Sequence, residues 1–257
     1  MSGHALILDC DGVLADTEKD GHLVAFNQTF DEFGYPFRWS EDEYAELLKV
    51  GGGKERMRHY LSQHPEIELP GSDDLDTLLA RVHKQKSGDY QDIVNSGRIP
   101  GRPGIKRLVE EALDAGWQVA IASTSAVPSV EAVAVAVLGR ATRDRLAGIF
   151  GGDVVPAKKP APDIYLYALD QLGLSAGDAV VVEDSESGAK AAAAAGIAHI
   201  VTVSHFTRDD PFPDAVVVVE NLGEPGSPAV VLAGDDVRDD RGVIGLESLE
   251  RIAGSRT

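Results

Sequence analysis

The sequence predicts an α/β fold, a three-layer core on a mostly parallel sheet with a helical unit inserted after the first strand. Three observations predict it. Short, continuously apolar, β-rich runs recur at 5–8, 119–122, 179–182, 199–203 and 215–219. Unbroken rather than alternating apolar runs suit strands covered on both faces. Helical patterns lie between the later runs, and about a hundred residues separate the first run from the second.

Each element has its own signal. The run 5–8 is the first strand. The stretch from roughly residue 20 to 95 has few β-rich runs and carries apolar residues at helical spacing, at Leu23, Phe26, Phe30 and Phe33, then Leu75, Leu78, Leu79 and Val82. The chain returns through the Gly- and Pro-rich passage 96–104. Residues 1–16 and 98–257 are therefore expected to form a Rossmann-like core, and 17–97 a helical cap. A helix over 105–115 presents Ile105, Leu108, Val109 and Leu113 and stops at Gly116. Another over 164–172 has Pro162 near its start and Gly173 after it. The stretch 222–242, rich in Gly, Asp and Pro, reads as surface loop, with a short helix after it.

Composition narrows the function. The 257 residues suffice for one α/β domain and a smaller module. The formal net charge of -18 disfavours nucleic acid and anionic membranes as partners. An anionic substrate would then need a local concentration of cations. Cys10 is the one cysteine, so no disulfide can form within the chain. No signal-peptide pattern and no apolar stretch near ~20 residues is present. A soluble, cytoplasmic protein is expected, and a monomer.

Four separated pieces carry chemistry. Asp9-Cys10-Asp11-Gly12 ends the first strand, and alternation puts Asp9 and Asp11 on one face. Ser123-Thr124-Ser125 ends the second apolar run and offers hydroxyls and N–H groups to phosphoryl oxygens. Lys159 lies in a strand-to-helix connection, and Glu183-Asp184 follows the wholly apolar 180–182. Singly, each has a plainer reading as turn, helix cap, solvated lysine or exposed acids. Together they place Asp9, Asp11, Glu183 and Asp184 at the carboxyl ends of parallel strands, where ligands of open α/β sheets bind. Two like charges ~4 Å apart repel by roughly 4 kcal/mol at an effective dielectric near 20. One lysine cannot offset several such pairs and a phosphate. A divalent cation can, and oxygen donors beside a phosphate favour Mg²⁺.

These pieces, in this order, resemble the haloacid dehalogenase superfamily over nearly the whole chain. The resemblance implies that Asp9 is a nucleophile forming an aspartyl-phosphate. It implies that Asp11 protonates the leaving group and then activates water. Ser123 and Lys159 would hold the phosphoryl group. Asp9, the Asp11 carbonyl and Asp184 would ligate Mg²⁺, with Glu183 beside them or acting through water. Asp11 argues against dehalogenases, which lack this acid, and phosphonatases depart at the same position.

Within the insert, 16–22 and 47–57 resemble the CbbY-type subfamily, known as xylulose-1,5-bisphosphate phosphatases that remove an inhibitory Rubisco by-product. A phosphorylated sugar is thus the implied partner, with Glu18, His22, Gly52, Gly53, Lys54, Arg56, Lys86, Thr124 and Ser125 as substrate-binding residues. Gly51–Gly53 would allow close backbone approach. Lys54, Arg56 and Lys86 would take a second phosphate, whereas Arg58 and Arg81 read as solvated surface charges. Two rivals remain. One is a mutase resembling β-phosphoglucomutase, whose cap histidine matches Gly21 without gaps and lies one residue before His22. The other is a non-catalytic sugar-phosphate sensor, against which the presence of Asp9, Asp11 and Lys159 argues.

Overall fold

The first strand, β1 (Ala5–Leu8), is wholly buried and enters directly into the site-bearing loop. The computed structural model describes residues 3–50, 52–71, 74–97, 99–151 and 154–254. Contacts divide the chain into two units, Met1–Asp16 with Pro100–Thr257, and Thr17–Ile99.

The inserted unit is helical throughout its regular elements. It begins with a π-helical turn, Glu18–Leu23, that runs straight into α1 (Val24–Glu32). Then come α2 (Glu41–Leu47), α3 (Gly53–Gln63) and α4 (Leu75–Asn95). Ser40 starts α2 with a reciprocal capping box to Glu43, which satisfies amides the helix itself leaves open. Phe26, Phe30, Trp39, Tyr44 and Tyr60 are buried together as its core. Thr29 ties α1 to α4 through Asp89 at 2.6 Å.

The core unit resumes with α5 (Ile105–Asp114), β2 (Gln118–Ala122), α6 (Val127–Leu138), α7 (Arg140–Arg143) and β3 (Gly148–Phe150). It continues with α8 (Asp163–Leu172), β4 (Ala179–Glu183), α9 (Glu186–Ala194), β5 (Ala198–Thr202), β6 (Val217–Val219), β7 (Val231–Gly234) and α10 (Leu246–Gly254). The seven strands form one sheet in the order β3-β2-β1-β4-β5-β6-β7, parallel except for β7 against β6. This is the three-layer α/β architecture that the apolar runs predict. Ile7, Ala120 and Val181 pack beneath Ile164 and Tyr165 of α8 and Ala191 of α9 on one face.

The register positions the site. Leu8 pairs with Ile121 on one side and Val182 on the other, so the ends of β1, β2 and β4 stand level. Beyond β1, the two connecting segments pair through Ala15 and Gly101. Two strands depart from expectation. β3 is only three half-buried residues, and β7 lies in the stretch expected to be loop. That stretch is pinned to α5: Arg241 donates to Glu111 at 2.8 Å, and Arg107 donates to the Gly223 carbonyl at 3.0 Å. No helix among the described residues is long and apolar enough to cross a membrane.

Candidate active site

The apolar strands β1 and β4 deliver three carboxylates to one buried point. Asp9, Glu183 and Asp184 each offer an oxygen, and these oxygens lie within 4.8 Å of one another. The Asp9 amide continues the sheet by donating to the Val182 carbonyl at 3.0 Å, which fixes the backbone where the strand pattern ends. Two glycines make the room. A Cβ on Gly12, whose φ is +76°, would lie 1.9 Å from an Asp184 carboxylate oxygen. A Cβ on Gly188, in the first turn of α9, would lie 2.1 Å from the Glu183 carboxylate. Only a hydrogen side chain lets the backbone come so close.

One ammonium enters this cluster. Of two adjacent lysines, Lys158 is exposed while the Lys159 side chain is 4% exposed. Its Nζ lies 2.6 Å from Glu183 Oε1 and 2.9 Å from Asp9 Oδ1, and it also donates to the Ala122 carbonyl. The Tyr165 hydroxyl donates to Glu183 Oε1 as well, so Glu183 is held by two donors besides the Asp184 amide.

Asp11 is not among those three. Its Oδ2 accepts from the Ser125 hydroxyl at 2.6 Å. The Ser125 amide in turn donates to Ser123 Oγ at 3.1 Å, and Ser123 is buried with its amide on the Phe150 carbonyl. The triplet after β2 thus places Ser123 inward and Ser125 on Asp11, and leaves Thr124 exposed. A sequence reading gave Thr124 and Ser125 the same task. The structure separates them where the chain bends beyond β2: Thr124 is exposed, and Ser125 is half-buried on Asp11.

The charges do not balance. Burial raises the Asp9 pKa from 3.8 to about 6, with Lys159 opposing and Glu183 adding to the shift. Burial, then Glu183 and Asp9, push Asp184 well above the carboxylate range. Burial alone would depress Lys159, yet Asp9 and Glu183 hold it well above an ordinary lysine. Among the described residues, three buried carboxylates against one contacting ammonium, with oxygen donors only, fit a hard divalent cation.

The helical unit holds the other candidates. Tyr44 donates to Glu18 at 2.6 Å, and Arg56 donates to Tyr44 at 2.8 Å, so Arg56 and Glu18 belong to one hydrogen-bonded chain. Lys86 is buried 2.7 Å from His22 Nδ1, with its ammonium over Phe26 and Tyr90. Burial and then Lys86 hold the His22 pKa well below its ordinary value, so the ring is neutral. Arg56 and Lys86, expected as phosphate ligands, are therefore tied into the interior of their unit. Lys54 is exposed. Arg58 pairs with Asp76, and Arg81 lies over Phe33. Gly51 falls outside the described residues. The space at Gly52 and Gly53 is filled from within, by Glu55 and by His83 with Phe26.

Tyr165 was missed in the sequence because a tyrosine on the apolar side of a helix reads as core. The signal available was its place six residues after Lys159, on the helix that this lysine's loop introduces.

Residues 4–196 match the family model for haloacid dehalogenase-like hydrolases. Protein CbbY of Cupriavidus necator is 45% identical over 224 residues, covering 87% of each chain. A CBBY-like protein of Arabidopsis thaliana is 44% identical over 86% of this chain and 70% of its own. Among solved structures, a variant of CbbY from Rhodobacter sphaeroides in complex with xylulose-(1,5)bisphosphate superimposes with a TM-score of 0.75 at 37% identity, over 87% of this chain and 96% of that one.

Proposed function

Because the chain belongs to the haloacid dehalogenase-like hydrolases and is a phosphatase among them, we propose that it hydrolyses xylulose 1,5-bisphosphate to xylulose 5-phosphate and phosphate. The observation that carries this choice of substrate is the similarity to a CbbY that binds xylulose-(1,5)bisphosphate, at 37% identity over 87% of this chain. The reaction would clear a by-product of Rubisco where that enzyme is present.

In this reading the Asp9 carboxylate attacks phosphorus and forms an aspartyl-phosphate. Asp11, held by Ser125 at 2.6 Å, gives a proton to the departing sugar oxygen. It then takes one from the water that cleaves the acyl phosphate. Ser123 and Lys159 hold the phosphoryl oxygens, and Lys159 offsets charge on Asp9 from 2.9 Å. Asp9, Asp184 and the Asp11 carbonyl would hold Mg²⁺, with Glu183 behind them on Lys159. When bound, the ion supplies charge neutralisation for the phosphoryl group.

A panel of sugar mono- and bisphosphates tests the substrate, with xylulose 1,5-bisphosphate expected to give the highest kcat/KM. EDTA and Asp9→Asn should each abolish phosphate release. Wild-type turnover by Asp9→Asn would rule out the assigned nucleophile.

One observation favours a second reading, the mutase. The π-turn at Glu18–Leu23 takes up one extra residue. His22 can thereby hold the helical position that a gap-free match gives to Gly21. Supplying β-glucose 1-phosphate with a trace of the 1,6-bisphosphate separates the two. Glucose 6-phosphate marks a mutase, and free phosphate a phosphatase.

A further inference from the structure

Tyr165 is fully buried, packed with Ile164 and Ala168 of α8 against the sheet. A tyrosine so placed must find a partner for its hydroxyl. It finds Glu183 Oε1, the same oxygen that receives Lys159. Its ring also faces the lysine, with Lys159 Nζ 5.0 Å from the centroid. Lys159 is therefore bounded by Asp9, Glu183, the Ala122 carbonyl and an aromatic face. Burial and the Glu183 charge keep the phenol protonated, hence a donor.

We propose that Tyr165 is a positioning residue: its hydroxyl fixes Glu183, and Glu183 with the tyrosine ring fixes Lys159 against Asp9. The physical reason is the sharing of one oxygen. Without the tyrosine, Oε1 of Glu183 would keep only the lysine, and the carboxylate, held otherwise at Oε2 by the Asp184 amide at 3.1 Å, could pivot about that contact and carry the lysine with it. A second donor on the same oxygen, from a helix packed on the sheet, removes that freedom. Lys159 then stays where it offsets the charge on Asp9, and misplacing such a group by about 1 Å can cost up to ~100-fold in rate. This role rests on the reading of Asp9 as nucleophile, but not on the identity of the sugar.

Tyr165→Phe keeps the ring and removes only the hydroxyl. It should lower kcat by about tenfold and leave KM within about twofold, since the contact acts on the reacting end of the site. Tyr167→Phe deletes a hydroxyl from the same helix outside the site and should leave both constants within about twofold. A second measurement needs no turnover. In the full chain carrying 3-fluorotyrosine at position 165, the ¹⁹F resonance should shift in Lys159→Met and again when orthovanadate is added. Unchanged kcat in Tyr165→Phe would overturn the proposal, and so would a resonance that Lys159→Met leaves in place. If Tyr165→Phe fails to fold, the resonance alone decides. A shifting resonance in a protein inactive on xylulose 1,5-bisphosphate would sink the substrate assignment and still support Tyr165.

Discussion

At Asp9 the requirements of the proposed chemistry and of folding oppose each other. A nucleophilic carboxylate must be ionised, yet burial beside Glu183 raises its pKa from 3.8 to about 6. Lys159 does not fully compensate. Between about pH 4 and pH 6 the native state of the metal-free protein holds a proton that the unfolded chain has lost. Stability therefore falls as pH rises through that window, by roughly 3 kcal/mol at most for this group. Asp9→Asn carries no such charge. Without metal, it should melt above the parent at pH 7.5 and level with it near pH 4, read by thermal unfolding in EDTA. An Asn variant that melts below the parent at pH 7.5 would show that Lys159 depends on Asp9 more than Asp9 is burdened by Glu183.

The π-turn is the corresponding feature at the scale of elements. An α-helix closes its rings at four residues and a π-turn at five, so the turn absorbs one residue without changing the phase of α1. Asp20 is its exposed member. Deleting Asp20 should restore an α-turn, keep His22 beside Lys86, and move Tm by no more than about 5 °C. A loss above about 10 °C would mean that the π geometry is itself required by the packing. The sequence could not show this turn, because Glu18–Leu23 carries no apolar period of its own. Strands were legible where both faces are covered: the runs ending at Leu8, Ala122 and Val182 leave little but a buried parallel strand to form. β3 and β7 escaped for the opposite reason, being short, half-exposed and held by their neighbours. At the site, acids after apolar strands declared themselves. The separate placements of Thr124, Ser125 and Tyr165 depend on side-chain direction, which spacing alone does not give.

Over the whole molecule the net charge is -18, which repels a sugar bisphosphate at long range. Attraction must then be local. In the proposed reaction Lys159 serves the phosphoryl group that is transferred. Among the three cations expected for the remote phosphate, Arg56 bonds Tyr44 and Lys86 bonds His22, both buried. Lys54 is exposed in the first turn of α3, where the helix dipole adds to its charge. Lys54→Ala should therefore raise KM for a bisphosphate by about tenfold, about 1.4 kcal/mol of binding. KM for the matching monophosphate should change by less than about twofold, and kcat should hold for both, because in this proposal Lys54 would contact a group that does not react. The comparison belongs at one fixed ionic strength, since salt screens the repulsion from the acidic chain as well as the attraction to Lys54. Equal changes in KM for the two substrates would remove Lys54 from remote-phosphate recognition and return that task to the buried pair, which would have to release Tyr44 and His22 to perform it.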